Sequence, residues 1–245
     1  VPSSKVCVAA GRVFVYCDND SGTFLTALDA ESGEVLWQKP LERRYDGSWS
    51  SPVYHRGRVY IGSGRTVYCF DAGGNELWRQ SLGGYVANSC PSIAEVGNTT
   101  LLVIGRYGAG GNPAFYCLDA ESGEVLWVFD SSVEPSLSGG RATATAAFGG
   151  SKVYVGIGTW NPALCGGGIY CLDAGGGGVL WKAPTDYGVW GSVTLVHGTL
   201  FFGTYNFEGD SAYYAMSPVD GSVLWKRAGI STDSTPAYAF GRIYI

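Results

Sequence analysis

The sequence has little of what several large classes of protein require. It contains one methionine and two histidines, and no apolar run approaches the roughly 18 residues of a membrane-spanning helix. Basic residues are also scarce, because 16 Lys and Arg stand against 21 Asp and Glu, with a net charge of -5 and no basic run. This composition excludes a membrane-spanning helix and argues against nucleic acid or an anionic membrane as the main partner.

Glycine and aromatic residues are abundant instead. The 245 residues include 38 Gly, 16 Tyr and 8 Trp, and 46% are hydrophobic. The glycines follow no three-residue period, which excludes a collagen-like chain. Many glycines favour tight turns, and many flat aromatic rings favour packed sheets over long helices. We therefore expect a folded protein rich in short strands.

A segment ending in tryptophan recurs along the chain. Residues 28–37 and 118–127 are nearly identical, and three weaker copies end at Trp78, Trp181 and Trp225. The five terminal tryptophans are 41, 49, 54 and 44 residues apart, a mean of 47. A period of about 40–50 residues is typical of one blade of a β-propeller.

Each repeat contains four β-rich runs, here called strands A, B, C and D, separated by turns rich in Gly, Asp and Asn. We expect the four runs to form one antiparallel sheet and the tryptophan of strand D to pack against the next blade. The Asp of the C-to-D turn should cap the turn, and its Gly should supply a positive φ. The expected blades are residues 1–40, 41–82, 83–131, 132–184 and 185–228, with a partial blade at 229–245.

The pattern Tyr-x-Leu-Asp-Ala-x-x-Gly-x-x-Leu-Trp, preceded by Ser-Ser-Pro and Val-Tyr-x-Gly, resembles the repeat of the PQQ-like (pyrroloquinoline quinone-like) β-propellers. This superfamily includes quinoprotein alcohol dehydrogenases and the non-enzymatic propeller lipoprotein of the outer-membrane β-barrel assembly machine. The resemblance covers essentially the whole chain. It implies an all-β propeller and an extracytoplasmic location, although the cytoplasm is not excluded. Because such propellers have seven or eight blades, we expect this chain to be part of a longer protein.

Propeller geometry places the B-to-C and D-to-A connections on one rim, here called the loop rim. The A-to-B and C-to-D turns lie on the other rim and are short and Gly-rich, whereas the loop rim carries longer segments. Long loops on a rigid scaffold are common binding sites, although ordinary variable loops would look the same. The candidate ligand-binding residues on this rim are Arg106, Tyr107, Tyr205 and Phe207.

One stretch resembles the quinoprotein dehydrogenases more closely. It runs from residue 139 to 190 and contains their motifs in the same order. The resemblance implies a site for PQQ and calcium, with Asn161 as a calcium ligand. Trp160, Arg141 and Trp190 would then surround the cofactor.

This stretch also departs from the quinoprotein pattern. Gly191 follows Trp190 where those enzymes have their catalytic Asp, so Asp186 would have to act as the base. Residues 106–113 contain no carboxylate to serve as the acidic calcium ligand. A hard cation needs several oxygen ligands, so a complete quinoprotein site is not the favoured interpretation.

Other candidate metal or redox residues give weaker signals. Asp18 and Asp20 have the alternating spacing of a short calcium loop, but a B-to-C hairpin turn explains them better. Three of the seven cysteines, Cys69, Cys117 and Cys171, occupy equivalent strand C positions and should be small buried apolar residues rather than disulfide partners. Cysteine usage therefore does not fix the compartment.

Three functions remain open. The leading hypothesis is a non-enzymatic scaffold that needs no cofactor and binds a protein partner through the loop rim. The second is an alcohol dehydrogenase dependent on PQQ and calcium. The third is a carbohydrate-binding propeller, in which the flat faces of Trp160, Tyr107, Tyr205 and Trp190 would stack on sugar rings.

Overall fold

The structure is a computed structural model that describes residues 5–43, 49–86, 89–108, 111–130, 132–159, 167–205 and 211–245. Within these ranges the regular structure is β-strand, apart from one 3₁₀ turn at Pro135–Leu137. None of the described segments contains a helix that is long and apolar enough to cross a membrane. The all-β propeller predicted from the repeats is confirmed, as five sheets of consecutive antiparallel strands are followed by a two-stranded hairpin.

The first three sheets are simple four-stranded meanders, here called blades 1 to 3. Blade 1 contains β1 (Cys7–Ala9), β2 (Arg12–Asn19), β3 (Gly22–Asp29) and β4 (Val35–Leu41). Blade 2 contains β5 (Val53–His55), β6 (Arg58–Ser63), β7 (Thr66–Asp71) and β8 (Glu76–Ser81). Blade 3 contains β9 (Ser92–Val96), β10 (Thr99–Gly108), β11 (Gly111–Asp119) and β12 (Val125–Asp130).

Blade 4 has an additional short strand that pairs with its strand B. Its strands are β13 (Gly140–Arg141), β14 (Ala147–Gly149), β15 (Lys152–Thr159), β16 (Gly168–Asp173) and β17 (Val179–Pro184). Blade 5 contains β18 (Thr194–Val196), β19 (Thr199–Gly203), β20 (Ala212–Met216) and β21 (Val223–Ala228). The final hairpin contains β22 (Ala237–Ala239) and β23 (Arg242–Tyr244).

Each described joint between blades is built around one tryptophan from strand D. The indole Nε1 donates a hydrogen bond to a carbonyl oxygen in the next blade's C-to-D turn. The four pairs are Trp37 to Ala72 (3.0 Å), Trp78 to Ala120 (3.1 Å), Trp127 to Ala174 (2.9 Å) and Trp181 to Pro218 (3.3 Å). The predicted packing role is confirmed for these four residues. Trp225 of blade 5 is 43% exposed and has no such acceptor within the described ranges.

The indole of each joint lies flat against a turn glycine of the next blade. A Cβ atom at Gly123, for example, would lie 2.7 Å from the indole of Trp78. The same glycine has φ +78°, a conformation that residues with a side chain rarely adopt. Gly74, Gly177 and Gly221 are in the same situation against Trp37, Trp127 and Trp181. The glycine in the repeat is therefore required by both the turn and the tryptophan.

Strand D has a β-bulge in every one of the five blades. In blade 1, Ala27 pairs with Trp37 but Leu28 pairs with Val35, so Leu36 is an extra residue. A bulge re-aims the neighbouring side chains, and here it immediately precedes the tryptophan that reaches the next blade. The bulged leucines are about half exposed to solvent: Leu36, Leu77, Leu126, Leu180 and Leu224.

The C-to-D turns are held by the aspartate predicted to cap them. The Asp29 carboxylate accepts hydrogen bonds from the backbone N–H groups of Glu31 and Ser32 and from the Ser32 hydroxyl. Gly33 follows with φ +74°. Asp119 makes the same three bonds in blade 3. Both parts of the turn prediction are confirmed.

Because of this capping, the stability of the protein should vary with pH in the acid range. The hydrogen bonds from Ser32 hold the pKa of Asp29 below its usual value of 3.8, so its charged form is favoured in the folded state. We expect the Asp29→Ala variant to melt at a lower temperature than the wild type at neutral pH. The difference should shrink as the pH falls through and below 3.8, where the wild-type carboxyl group becomes protonated. Circular dichroism melts across this range measure it, and a pH-independent difference would contradict the role assigned to the charge.

The equivalent strand C cysteines are buried as predicted. Cys69, Cys117 and Cys171 are fully inaccessible, and none of them forms a disulfide. Burial raises the pKa of the Cys69 and Cys171 thiols to about 11 and that of Cys117 to about 12. These cysteines therefore act as small apolar residues of the sheet interior.

Candidate functional site

The innermost strands of neighbouring blades contact one another, and a series of hydrogen bonds joins them. Two residues before strand A, each of five units carries a short polar side chain. These residues, here called the axial arc, are Ser51, Cys90, Thr145, Ser192 and Thr235.

The axial arc connects one blade to the next through its side chains. The backbone N–H of Lys5 donates to Ser51 Oγ (2.8 Å), and that of Ser51 donates to Cys90 Sγ (3.2 Å). The N–H of Cys90 donates to Thr145 Oγ1 (3.1 Å), and that of Thr145 donates to Ser192 Oγ (3.3 Å). The Thr235 hydroxyl completes the series at 2.9 Å from Ser192 Oγ. The arc thus fixes the spacing of the inner strands.

The arc lines a cavity of about 820 Å³, here called the axial cavity. This volume lies within the usual range for small-molecule sites. Beyond the arc, the wall includes Lys5, Trp49, Thr143, Trp190, Tyr205 and Asp233. The cavity therefore combines small hydroxyl groups with broad aromatic surfaces.

Two of the residues predicted from the sequence lie in this cavity. The Trp190 indole lies over Gly158, where a Cβ atom would be 3.0 Å from the ring. Tyr205 is held by its backbone N–H, which donates to the carbonyl oxygen of Gly188 at 3.0 Å. Trp160, Asn161 and Phe207 lie outside the described residues.

Asp186 and Arg141 do not line the axial cavity. Asp186 is exposed and forms an ion pair with Lys226, and it does not line the axial cavity. The Arg141 guanidinium lies over the ring of Tyr107, 5.2 Å from its centroid. Arg141 also pairs with Gly158, the residue that the Trp190 indole covers, so these two residues, which the quinoprotein resemblance would place around one cofactor, are near neighbours.

Two arginine–tyrosine stacks lie side by side on the loop rim. The Arg65 guanidinium lies 5.3 Å from the centroid of Tyr85, and the backbone of Tyr85 accepts a hydrogen bond from Tyr107 N–H at 2.8 Å. Tyr107 in turn supports Arg141. These four residues, here called the rim patch, span blades 2 to 4. Sequence reasoning found Tyr107 and Arg141 but missed Arg65 and Tyr85, which lie in a short turn and a Gly-rich connection.

The long connection expected on the loop rim between strands B and C of blade 3 is largely strand in the residues that the structure describes. Strand β10 continues through Arg106 and Tyr107, and β11 begins at Gly111, so both arms are paired strands of a hairpin. Arg106 lies 5.4 Å from the Tyr116 ring centroid and donates to the Leu82 carbonyl oxygen at 3.3 Å.

The Asp18 segment is the hairpin turn that the sequence favoured. Asn19 pairs with Gly22, which leaves a two-residue turn containing Asp20. Asp18 accepts a hydrogen bond from the Thr23 hydroxyl at 3.0 Å and pairs with Arg43 at 3.3 Å. In the part of the chain that the structure describes, no group of three or more His, Cys, Asp or Glu side chains could hold a metal ion.

Successive four-stranded blades, joined by a repeated tryptophan and turn glycine, define a PQQ-like repeat β-propeller. The comparison with protein families agrees with this class. The model described as "Outer membrane protein assembly factor BamB" matches residues 20–161 and 116–245. The chain belongs to this family. No curated protein matches its sequence.

Solved structures share the fold at low sequence identity. A quinohemoprotein alcohol dehydrogenase from Pseudomonas putida HK5 has a TM-score of 0.72 and 17% identity, over 92% of this chain and 41% of its own. BamB from Moraxella catarrhalis has a TM-score of 0.66 and 18% identity, over 93% and 64%. A europium-containing methanol dehydrogenase has a TM-score of 0.69 and 14% identity, over 91% and 50%. The chain therefore spans less than two thirds of the length of each of these structures.

Proposed function

We propose that this protein is a non-enzymatic, extracytoplasmic propeller that binds a protein partner through the rim patch. The observation that carries the proposal is the arrangement of Arg65, Tyr85, Tyr107 and Arg141 in one continuous series. Tyrosine and arginine are enriched in protein interfaces and account for many of the residues that dominate binding energy. The description of the matching family as an outer membrane assembly factor supports both the role and the location.

The side chains of the rim patch are pre-organised for binding. Its arginines are stacked on tyrosine rings before any partner arrives, so less side-chain freedom is lost on association. The patch carries two guanidinium groups although the whole chain has a net charge of -5. Local positive charge on an acidic protein favours a partner that presents carboxylates.

A quinoprotein function remains the alternative, supported by the shared fold of the two dehydrogenases. When bound, PQQ would supply the redox chemistry. Of the residues implied for such a site, Trp190 lines the axial cavity. Arg141 stacks on Tyr107 and pairs with Gly158, which the Trp190 indole covers. The ion pair between Asp186 and Lys226 would also have to open before Asp186 could accept a proton. The residues present therefore fit the cofactor only in part.

Site-specific photo-cross-linking tests the proposed interface. A photoreactive residue placed at Arg65 or Tyr85 in the full protein, in its source cells, should yield a discrete protein adduct. The matched position on the opposite rim is Ser151, an exposed residue of an A-to-B turn, which should give none. With the identified partner purified, Arg141→Ala should weaken binding about ten-fold.

Two results would contradict this function. Equal adducts from both rims, or none from residues 65 and 85, would remove the rim patch as the interface. Dye-linked alcohol oxidation that appears on addition of PQQ and Ca²⁺, and is abolished by Asp186→Asn, would establish the dehydrogenase instead.

A further inference from the structure

The axial cavity and the rim patch share no residue. None of the four patch residues lines it, so a ligand could occupy the cavity whether or not a protein partner is bound. Among the described lining residues, Lys5 and Asp233 are the one cation and the one anion. These described lining residues together carry no net formal charge, which disfavours a multiply charged ligand.

The hydroxyl groups of the axial arc can still donate hydrogen bonds. Ser51 Oγ and Thr145 Oγ1 each accept a bond from a backbone N–H of the preceding blade, and Ser192 Oγ accepts two bonds. A serine or threonine hydroxyl has one proton to donate in addition to its acceptor positions. The arc thus offers a row of donors on the cavity wall, which suits a ligand with several oxygen acceptors.

The cavity is also lined by Thr143, whose hydroxyl group is unpaired among the described residues. Thr143 is 5% exposed, and its Oγ1 makes no hydrogen bond to any described residue. Leaving a buried hydroxyl unpaired is unfavourable, so a partner that reaches it should gain binding energy. A rotation about the Cα–Cβ bond of Thr143 exchanges its methyl and hydroxyl positions between staggered wells, which can turn the hydroxyl toward a ligand.

Aromatic surfaces complete the wall. Trp49 is 46% exposed and lines the cavity, as do Trp190 and Tyr205. Exposing a large indole to water in a concave site is unfavourable in free energy, so the site favours a ligand with a flat apolar face. An uncharged ligand with a ring that has an apolar face and many hydroxyl groups matches all three features. Its ring face suits the aromatic side chains, its oxygens suit the hydroxyl donors, and its neutrality suits the lining.

We propose that the axial cavity binds a neutral sugar. One ring face stacks on Trp49, and the ring hydroxyls pair with the axial arc and Thr143. This site differs from the rim arrangement expected from the sequence, because Tyr107 stacks with Arg141 and does not line the cavity. The proposal is independent of the protein-binding role, since it uses other residues.

Calorimetric titration of the full chain tests the site with three neutral disaccharides, namely maltose, cellobiose and N,N′-diacetylchitobiose. At least one should bind, and Trp49→Ala should weaken that binding about ten-fold. Trp225→Ala is the matched control, because Trp225 is a similarly exposed indole (43%) that does not line the cavity. The Trp225→Ala variant should bind the sugar with the same affinity as the wild type. Thr143→Val, which keeps the shape but removes the hydroxyl, should weaken binding several-fold.

Cys90 supplies a second measurement that does not depend on a substitution. Its thiol lines the cavity, whereas Cys7 and Cys17 are partly exposed elsewhere. The bound sugar should slow alkylation of Cys90, followed by peptide mass spectrometry, and leave Cys7 and Cys17 unaffected. No binding of any of the three sugars at about 10 mM, equal losses in Trp49→Ala and Trp225→Ala, or tighter binding of glucose 6-phosphate than of the neutral sugars would overturn the proposal.

Discussion

Replacing Trp127 with alanine is expected to lower the free energy of unfolding by about 3–5 kcal/mol, the range for removing a large buried aromatic side chain. Trp127 is 8% exposed. Its indole lies against Gly177, and its Nε1 donates to the Ala174 carbonyl oxygen at 2.9 Å. The substitution therefore leaves a cavity between two blades and removes one of the hydrogen bonds that join them. Urea unfolding measures the loss.

Trp225→Ala provides the comparison for this prediction. Trp225 occupies the same position of the repeat but is 43% exposed and has no turn carbonyl to bind among the described residues. In a protein of these 245 residues we expect its replacement to cost about 1 kcal/mol or less, because Trp225 packs on Phe201 and Tyr213 of its own blade and is not enclosed in a joint. Similar losses in the two variants would show that the tryptophan stabilises its own blade rather than the joint.

Gly105→Ala is expected to destabilise the protein by about 3 kcal/mol or more, at the upper end of what overpacking costs. Gly105 lies in β10, and a Cβ atom there would be 2.2 Å from the carbonyl oxygen of Ala142. The backbone cannot move away freely, because Gly105 N–H donates to Ser89 Oγ and that hydroxyl donates to the Ala144 carbonyl oxygen. One methyl group would thus separate two blades near the axis.

The control for Gly105 is an equal change in open space. A Cβ atom at Gly178 meets nothing within 4 Å, and Gly178 has no positive φ. Gly178→Ala should change the free energy of unfolding by about 0.5 kcal/mol at most. If Gly105→Ala were equally mild in thermal melts, the inner strands would be more adaptable than their hydrogen bonds imply.

The features that sequence reasoning found are those that recur from repeat to repeat, although Ser217 replaces the capping aspartate in the fifth. Trp127, Gly177 and the capping aspartates recur with the blade period, so their shared role could be inferred by comparing the chain with itself. The period also indicated the number of complete sheets. Local chemistry was sufficient here, because a turn of the kind formed by Asp29 and Gly33 uses residues that are adjacent in the chain.

The axial arc was missed for the opposite reason. Ser51 and Cys90 are 39 residues apart and chemically different, yet one donates its N–H to the side chain of the other. The sequence signal is a small hydrogen-bonding residue two positions before strand A in blades 2 to 5 and in the final hairpin. The rim patch was half missed because Arg65 and Tyr85 meet only after two connections have folded onto the same rim. Contacts of this kind depend on how the blades are placed around the axis.

The bulged leucines have a consequence for how the outer surface behaves in solution. Strand D is an edge strand, and an edge with unpaired backbone groups beside apolar side chains is a template for aggregation. The extra residue at Leu36 and its counterparts interrupts the regular ladder, so an incoming strand cannot continue the pairing along the edge. The bulge that directs each tryptophan into its joint thus also hinders the exposed edge of the blade from pairing with a strand of another molecule.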